Sequence, residues 1–206
     1  NSSVWQQSSE APTDGATAGL AAVLQADPLN RLLGRFSRRR LTAEELRDSI
    51  LQVSGSLNPR RTGPSVLVPV APELTALLYK PAQWEVTPDP FEHNRRTIYL
   101  IAKRNLRLPF MEVFDQPDLQ ISCARRESST HSPQALELLN GEFSTSQSVL
   151  LAERLRQDCG TSLSLIVDRA FELSTGQLPT SEQRAAALRF LEDSPLEEFS
   201  LAVINL

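Results

Sequence analysis

Lysine, histidine, cysteine and glycine are all scarce in this sequence. Of its 206 residues, 21 are basic, but only Lys80 and Lys103 are lysine, and there are 2 histidines, 2 cysteines and 8 glycines. Because so few cysteines and histidines do not suffice for a site built from those ligands, we expect no metal in this segment. The sequence also has no glycine-rich phosphate loop, dinucleotide-binding fingerprint or G-x-S-x-G elbow, so it carries no signature of those enzyme classes.

Charge of one sign does not dominate the sequence. The formal net charge is −4, whereas a general nucleic-acid-binding domain is usually strongly basic, so we expect no nucleic-acid partner. Residues 1–110 carry 14 basic and 10 acidic side chains, and residues 111–206 carry 7 and 15. The basic half could bind an acidic partner, but pairing of the two halves within the chain is the favoured interpretation.

Long apolar runs are missing as well. No run approaches the roughly 18 residues that a transmembrane helix needs, so we expect no membrane span in this segment. The sequence begins at Asn1 rather than at a methionine, and its last predicted helix, from Pro195 to Leu206, has no glycine stop signal. We therefore expect a truncated fragment of a longer multidomain protein.

The composition and the predicted structure change once within the first 40 residues. Residues 1–26, rich in serine, alanine and glutamine, are predicted to be an extended or partly mobile segment, and residues 27–206 a single mostly helical domain. Asp27 and Pro28 are typical of a helix start. Apolar side chains follow at helical spacing, namely Leu29, Leu32, Leu33 and Phe36. The pattern predicts a short helix.

Further along, the start and stop signals of a helix are complete. Thr42 with Glu45 three residues later forms a predicted capping box, and Gly55 follows where a left-handed stop is favoured. Seven prolines between residues 56 and 96 then exclude a long helix. Thr97–Ala102 has the composition of a buried strand, and Leu119–Cys123 is a second, weaker strand candidate.

Helical signals become regular in the last third of the chain. Helix starts are predicted at five positions joined by short connections, Ser132, Ser144, Thr161, Thr180 and Ser194. Short connections favour antiparallel neighbours. The predicted fold class is therefore mainly α, a helical bundle with a proline-rich irregular centre that is a candidate for a small β-sheet.

Charged residues cluster around the predicted central strand. Two carboxylates three residues apart, Asp115 and Asp118, could act as acid and base if burial separated their pKa values. Basic residues on both sides of the strand are candidates for binding an anionic ligand, namely Arg95, Arg96, Arg104, Arg125 and Arg126. The favoured alternative is an ion-pair network that ties the irregular centre to the bundle.

A second candidate anion site lies at the start of a predicted helix. Ser132 ends a run of hydroxyl-bearing residues and opens that helix, where free N–H groups favour an anion. Ordinary helix capping explains Ser132 equally well. Cys123 could be a nucleophile with His93 or His131 as its base, but a buried cysteine or a disulfide with Cys159 is favoured.

Short motifs follow one another in order along the chain. They are Asn30-Arg31-Leu32-Leu33, Arg38-Arg39-Arg40-Leu41, Arg47-Asp48-Ser49-Ile50-Leu51, Arg95-Arg96-Thr97-Ile98-Tyr99, Phe114-Asp115-Gln116-Pro117-Asp118, Cys123-Ala124-Arg125-Arg126, Pro133-Gln134-Ala135-Leu136 and Leu139-Asn140. As a set they resemble the planctomycete-specific domain of unknown function found C-terminal in large exported proteins that also carry cytochrome c domains. The resemblance covers nearly the whole chain and marks Cys123, Gln134 and Asn140 as structural motif residues.

The resemblance implies cellular context more than chemistry. It implies a periplasmic or otherwise extracytoplasmic protein whose haem, if any, lies upstream, so that no cofactor is expected in this segment. The expected partners are other domains of the same polypeptide, including c-type cytochrome domains. The leading functional prediction is a non-catalytic binding or assembly module. The alternative is an extracytoplasmic enzyme domain acting on carbohydrate or sulfated polysaccharide, with an anionic carbohydrate as its ligand.

Overall fold

The computed structural model describes residues 17–37, 39–76, 78, 80 and 83–206. Contacts between Cα atoms divide the chain into two compact units, Asn1–Arg40 and Leu41–Leu206. Most of the segment 1–26 lies outside the described residues, and the proposed boundary after residue 26 stays a prediction.

A turn centred on one aspartate follows α1 (Thr17–Ala26) in the first unit. Asp27 accepts hydrogen bonds from the N–H of Arg31 through Oδ1 at 2.9 Å and from the N–H of Leu32 through Oδ2 at 2.7 Å. Asn30 has a φ of 52° and Leu33 a φ of 55°. The predicted helix starting at Asp27 is therefore wrong, because the aspartate caps a turn and two left-handed residues break the helical geometry.

The Asp27 turn should be sensitive to acid. The N–H groups of Leu32 and Arg31 lower the pKa of Asp27 below its ordinary value of 3.8. A carboxylate whose folded pKa is lowered stabilises the fold above its unfolded pKa, and this contribution is lost as pH falls through the folded pKa. The amide signals of Arg31 and Leu32 in NMR spectra should therefore titrate with a midpoint below 3.8. A midpoint at or above 3.8 would contradict the capping interpretation.

The regular secondary structure of the second unit is almost all helical, which confirms the mainly α prediction. Its described α-helices are α2 (Ala43–Ser54), α3 (Pro72–Ala76), α4 (Pro109–Val113), α5 (Ser132–Asn140), α6 (Glu142–Cys159), α7 (Leu163–Thr175), α8 (Ser181–Asp193) and α9 (Leu196–Ile204). Two 3-10 turns, Pro90–Asn94 and Thr97–Tyr99, lie in the centre.

Helix α6 is the axis of the bundle. It packs against α2, α5, α7 and α9, and its buried Leu151 and Leu155 lie in one cluster with Val167. Burying each such side chain contributes about 1.5–3 kcal/mol. Arg156 near the end of α6 pairs with Glu197 in the first turn of α9 at 2.8 Å, so these two helices run antiparallel.

Capping boxes mark two helix starts, as the sequence predicted. Thr42 Oγ1 accepts from the Glu45 N–H at 3.3 Å, and Glu45 Oε2 accepts from the Thr42 N–H at 3.0 Å. Thr180 and Gln183 form the same box before α8. The start predicted at Ser144 is wrong because α6 already begins at Glu142 and Ser144 is fully buried inside it.

The glycines that end α2 and α7 allow a matched pair of substitutions. Gly55 has a φ of 79°, and a Cβ there would lie 3.2 Å from Cδ of Arg154. Gly176 ends α7 with a φ of 74° and no atom within 4 Å of such a Cβ. Gly176→Ala should lower the free energy of unfolding by about 1–2 kcal/mol through backbone strain alone. Gly55→Ala should lower it further, and equal losses in urea unfolding would show that Arg154 moves aside freely.

The centre contains turns where the sequence predicted a strand. Thr97 donates to Asp48 Oδ1 from its N–H at 2.7 Å and from its Oγ1 at 2.6 Å, so the segment begins as a 3-10 turn. Leu119–Cys123 is irregular. Across the described ranges only isolated bridges occur, such as that between Val66 and Leu100. The predicted small β-sheet is therefore wrong.

Candidate functional site

One groove in the second unit brings several predicted site residues together. It has a volume of about 780 Å³ and lies between the first turns of α2, residues 96–103, α4 and residues 116–126. Its floor is apolar and its rim is charged. The floor residues are Leu100, Leu106, Leu108 and Met111, and the charged rim residues are Glu44, Glu45, Asp48, Arg96, Lys103, Arg107 and Arg126.

Two of the predicted arginines lie in the groove rim, and each pairs with an acidic side chain of α2. Arg126 donates from Nη1 to Glu44 Oε2 at 2.7 Å, and its side chain is 48% exposed. Arg96 donates from Nε to Asp48 Oδ2 at 3.3 Å, and its side chain is 63% exposed. Ion pairs this exposed contribute about 0–1 kcal/mol each, so both guanidinium groups can turn to another anion at little cost.

The interaction between Arg126 and Glu44 keeps both side chains charged. Burial alone would raise the pKa of Glu44, but the hydrogen bond and the positive charge of Arg126 outweigh it and lower that pKa. The same hydrogen bond raises the pKa of Arg126. Both partners are therefore ionised over the whole neutral range, and this pair presents fixed charges rather than a group poised for proton transfer.

Arg95 lies outside the groove, although it is adjacent to Arg96 in sequence. Its side chain is fully buried and donates to the C=O of Thr62, to the C=O of Pro64 at 3.1 Å and to Glu92 Oε2 at 3.3 Å. Its guanidinium carbon lies 3.9 Å from the centroid of the Tyr99 ring. These partners all belong to the chain itself, and a ligand role for Arg95 stays a prediction.

Neither candidate catalytic acid lines the groove. Asp115, with a φ of 63°, accepts from the N–H of Ser129 at 2.8 Å and from its Oγ at 2.6 Å, and Gln134 Nε2 lies 3.5 Å away. Asp118 is exposed and accepts from the N–H of Gln120 at 2.9 Å. The structure therefore does not bring the two carboxylates into one concave site.

The remaining predicted residues are distributed over the second unit. Four of them are exposed outside the groove, namely Arg104, Arg125, Ser132 and Asn140. Gln134 is buried, and its Nε2 donates to the C=O of Val113 at 3.0 Å, which ties α5 to α4. The anion-binding roles of the exposed residues stay predictions.

Cys123 lines the groove, and its environment differs from both favoured interpretations. Both cysteines are free, so the disulfide is wrong, and Cys123 is exposed rather than buried. Its Sγ lies 3.2 Å from the C=O of Arg125. Cys159 is half-buried, and burial raises the pKa of its thiol. Cys123 is thus the more accessible thiol.

The acidic residues of the groove rim were not predicted as site residues. Glu44 and Asp48 lie four residues apart on α2, a spacing that places two side chains on one helix face. That spacing was the signal that could have identified them. Arg107, which pairs with Glu112, also lines the groove and was missed because its position depends on how α4 packs.

The described residues contain neither a cluster of metal ligands nor a membrane-spanning helix. In the described part of the chain, no group of three or more histidine, cysteine, aspartate or glutamate side chains is arranged to hold a metal ion. No helix within the described ranges has the length and apolar character to cross a membrane.

Comparison with known proteins gives one family. No curated protein and no solved structure matches the chain. A family model described as PSD1, protein of unknown function (DUF1553), matches residues 1–191. Because the match covers nearly the whole sequence, the chain belongs to this family of proteins of unknown function.

Proposed function

We propose that this chain is a non-catalytic binding or assembly module of an exported multidomain protein that also carries c-type cytochrome domains. One observation carries the proposal: both candidate catalytic carboxylates accept hydrogen bonds from the chain's own donors, away from the groove. A general acid or base needs an oxygen directed at the reacting group of a substrate. Asp115 instead links the end of α4 to Ser129, which is a structural role.

The charged groove supports a binding role. Its apolar floor and charged rim combine burial with a few orienting polar groups, as binding sites commonly do. Export and the cytochrome partners come from the resemblance of the ordered motifs, and in this proposal any haem belongs to other domains of the polypeptide. The module then docks against those domains.

Mixing the module with its proposed partner tests the assembly role. The purified chain and the remainder of its polypeptide, produced separately, are mixed and passed over a size-exclusion column. We expect the two to elute together, with the haem absorbance in the fraction that contains the chain. An unrelated c-type cytochrome is the control. Separate elution at all concentrations tested would refute the proposal.

Export is tested independently of binding. A tagged copy of the full polypeptide is expressed in its own host, and the cells are then fractionated. We expect the tag in the extracytoplasmic fraction together with a known exported marker. Recovery with a cytoplasmic marker enzyme would contradict export while leaving the binding result unaffected.

The two aspartates should differ in stability and not in activity. Asp115→Ala should lower the free energy of unfolding by about 1–3 kcal/mol, because it leaves the N–H of Ser129 without its acceptor. Asp118→Ala should change it by about 0.5 kcal/mol or less, because the residue is exposed. Urea unfolding monitored by circular dichroism measures both.

The enzyme alternative makes a different prediction for the activity of Asp118→Ala. An enzyme acting on carbohydrate would hydrolyse neutral or sulfated oligosaccharides and lose that activity in Asp118→Ala without a loss of stability. We expect no hydrolysis by the unmodified chain. Hydrolysis that depends on Asp118 would replace the binding module by the enzyme interpretation.

A further inference from the structure

The groove runs along the edge of an extended segment. Four consecutive residues, 100–103, line it. Successive side chains of an extended chain point to opposite faces, so a groove against one face would be lined by alternate residues. Consecutive residues line this groove, and Val66, which pairs with one edge of the segment, does not line it, so the groove lies along the edge away from Val66.

One edge of that segment is already paired, and the other is not. The N–H of Val66 donates to the C=O of Tyr99 at 2.8 Å, and the N–H of Ile101 donates to the C=O of Val66 at 2.9 Å. The alternation of the backbone turns the C=O of Leu100 and the N–H of Ala102 to the opposite edge. Neither of these two groups has a hydrogen-bond partner within the described residues. An unpaired edge of this kind is a template for another strand.

The acids of the rim are committed to the chain's own donors. Asp48 accepts from the N–H and Oγ1 of Thr97 at 2.7 and 2.6 Å, and Glu45 accepts from the N–H of Thr42 at 3.0 Å. These bonds hold the capping box and the 3-10 turn in place. The rim carboxylates Asp48 and Glu45 therefore serve the fold, because their oxygens already accept hydrogen bonds from the chain's own donors.

Two arginines of the rim, Arg96 and Arg126, have N–H groups that form no hydrogen bond among the described residues. Arg96 uses Nε alone and Arg126 uses Nη1 alone in the hydrogen bonds formed among the described residues. A guanidinium has five N–H donors in a fork that matches a carboxylate. Each side chain can therefore bind an incoming carboxylate while its stem stays in place.

We propose that the groove binds an extended acidic segment of a polypeptide, which adds as a strand to residues 100–102. The free C=O of Leu100 and N–H of Ala102 would pair with its backbone, and Arg96 and Arg126 with its carboxylates. Alternate apolar side chains of the segment would meet the apolar floor. This inference rests on the proposed binding function, for which it names the partner class.

A polypeptide fits these features better than a polysaccharide does. A polysaccharide could supply anions to the arginines, but it has no ladder of alternating N–H and C=O groups for the free edge. A cavity of about 780 Å³ is also within the usual range of a ligand site, which suits a few residues of an extended chain.

Protection of Cys123 from alkylation tests the proposal. The probe is a blocked octapeptide of alternating glutamate and valine, and the readout is the rate at which iodoacetamide modifies each cysteine, measured by mass spectrometry. We expect the rate at Cys123, which lines the groove, to fall in proportion to the bound fraction. The rate at Cys159, which lies outside the groove, should stay constant and serves as the internal reference.

Matched variants assign the effect to the groove. Arg96→Ala combined with Arg126→Ala should weaken peptide binding about tenfold, as expected for losing two partly exposed charge pairs. Arg104→Ala combined with Arg125→Ala removes the same charge from exposed positions outside the groove and should leave binding unchanged. Replacing glutamate by lysine in the peptide, or methylating its alternate amide nitrogens, should abolish protection.

Each other outcome is decisive. If no peptide concentration protects Cys123 while the chain still elutes with the rest of its polypeptide, the groove inference is wrong and the assembly role stands. If a sulfated oligosaccharide protects Cys123 and the peptide does not, the groove binds carbohydrate instead. If neither protection nor co-elution occurs, both proposals fail.

Discussion

Arg95→Ala should lower the free energy of unfolding by about 3–5 kcal/mol, the usual cost of removing one member of a buried charged network. Arg95 is fully buried, and its loss leaves the C=O groups of Thr62 and Pro64 without their donor. It also removes the contact with the Tyr99 ring. Urea unfolding followed by circular dichroism measures the change.

Arg60 provides a matched control, because it pairs with the same acid. Arg60 Nη1 lies 2.9 Å from Glu92 Oε1, but the Arg60 side chain is 58% exposed. Arg60→Ala should therefore change the free energy of unfolding by about 0–1 kcal/mol. Similar losses for the Arg60 and Arg95 variants would mean that burial does not decide the contribution of these arginines.

Arg47→Met should lower the free energy of unfolding by about 2–4 kcal/mol, since one buried and one partly buried carbonyl lose their donor. Arg47 donates to the C=O of His93 at 2.6 Å and to the C=O of Arg95 at 2.9 Å. Burial lowers its pKa to about 10, and the charge of Asp48 opposes the shift. The guanidinium therefore remains charged at neutral pH, and methionine fills most of its volume without replacing the bonds.

Arg154→Met is the control for Arg47→Met. Arg154 also donates to two carbonyls, those of Gln52 and Val53 at 2.9 and 2.8 Å, but its side chain is 25% exposed, so water can replace it. We expect a loss of about 0.5–1.5 kcal/mol. A loss as large as that of Arg47→Met would show that the number of bonds matters and the burial does not.

Local signals predicted the helices because their causes are local. Thr42 with Glu45 and Thr180 with Gln183 form capping boxes that involve only four residues each, and both are present. The strand predicted at Thr97–Ala102 is wrong for the opposite reason. Its first residue is held by Asp48, which lies 49 positions earlier, and no local pattern contains that contact.

The sequence predicted which kinds of residue form the candidate site, but it did not predict how they are arranged in space. Arg95 and Arg96 are neighbours in sequence, yet the first is fully buried and the second lies in the groove rim. Arg95 has extended backbone angles, whereas Arg96 has a φ of −51° and a ψ of 142° and directly precedes a 3-10 turn. The sequence showed that this segment is rich in arginine, but only the packing of α2 decides which arginine faces the groove.

The central arginines bind backbone oxygens, and this has an evolutionary consequence. Arg95 donates to the C=O groups of Thr62 and Pro64. Arg47 donates to the C=O groups of His93 and Arg95. A carbonyl is present whatever side chain its residue carries, so relatives can exchange the residues at 62, 64 and 93 without losing an acceptor. In a family alignment we expect these two arginines to stay constant whatever residues stand at positions 62, 64 and 93, whereas Arg126 and Glu44 should change together.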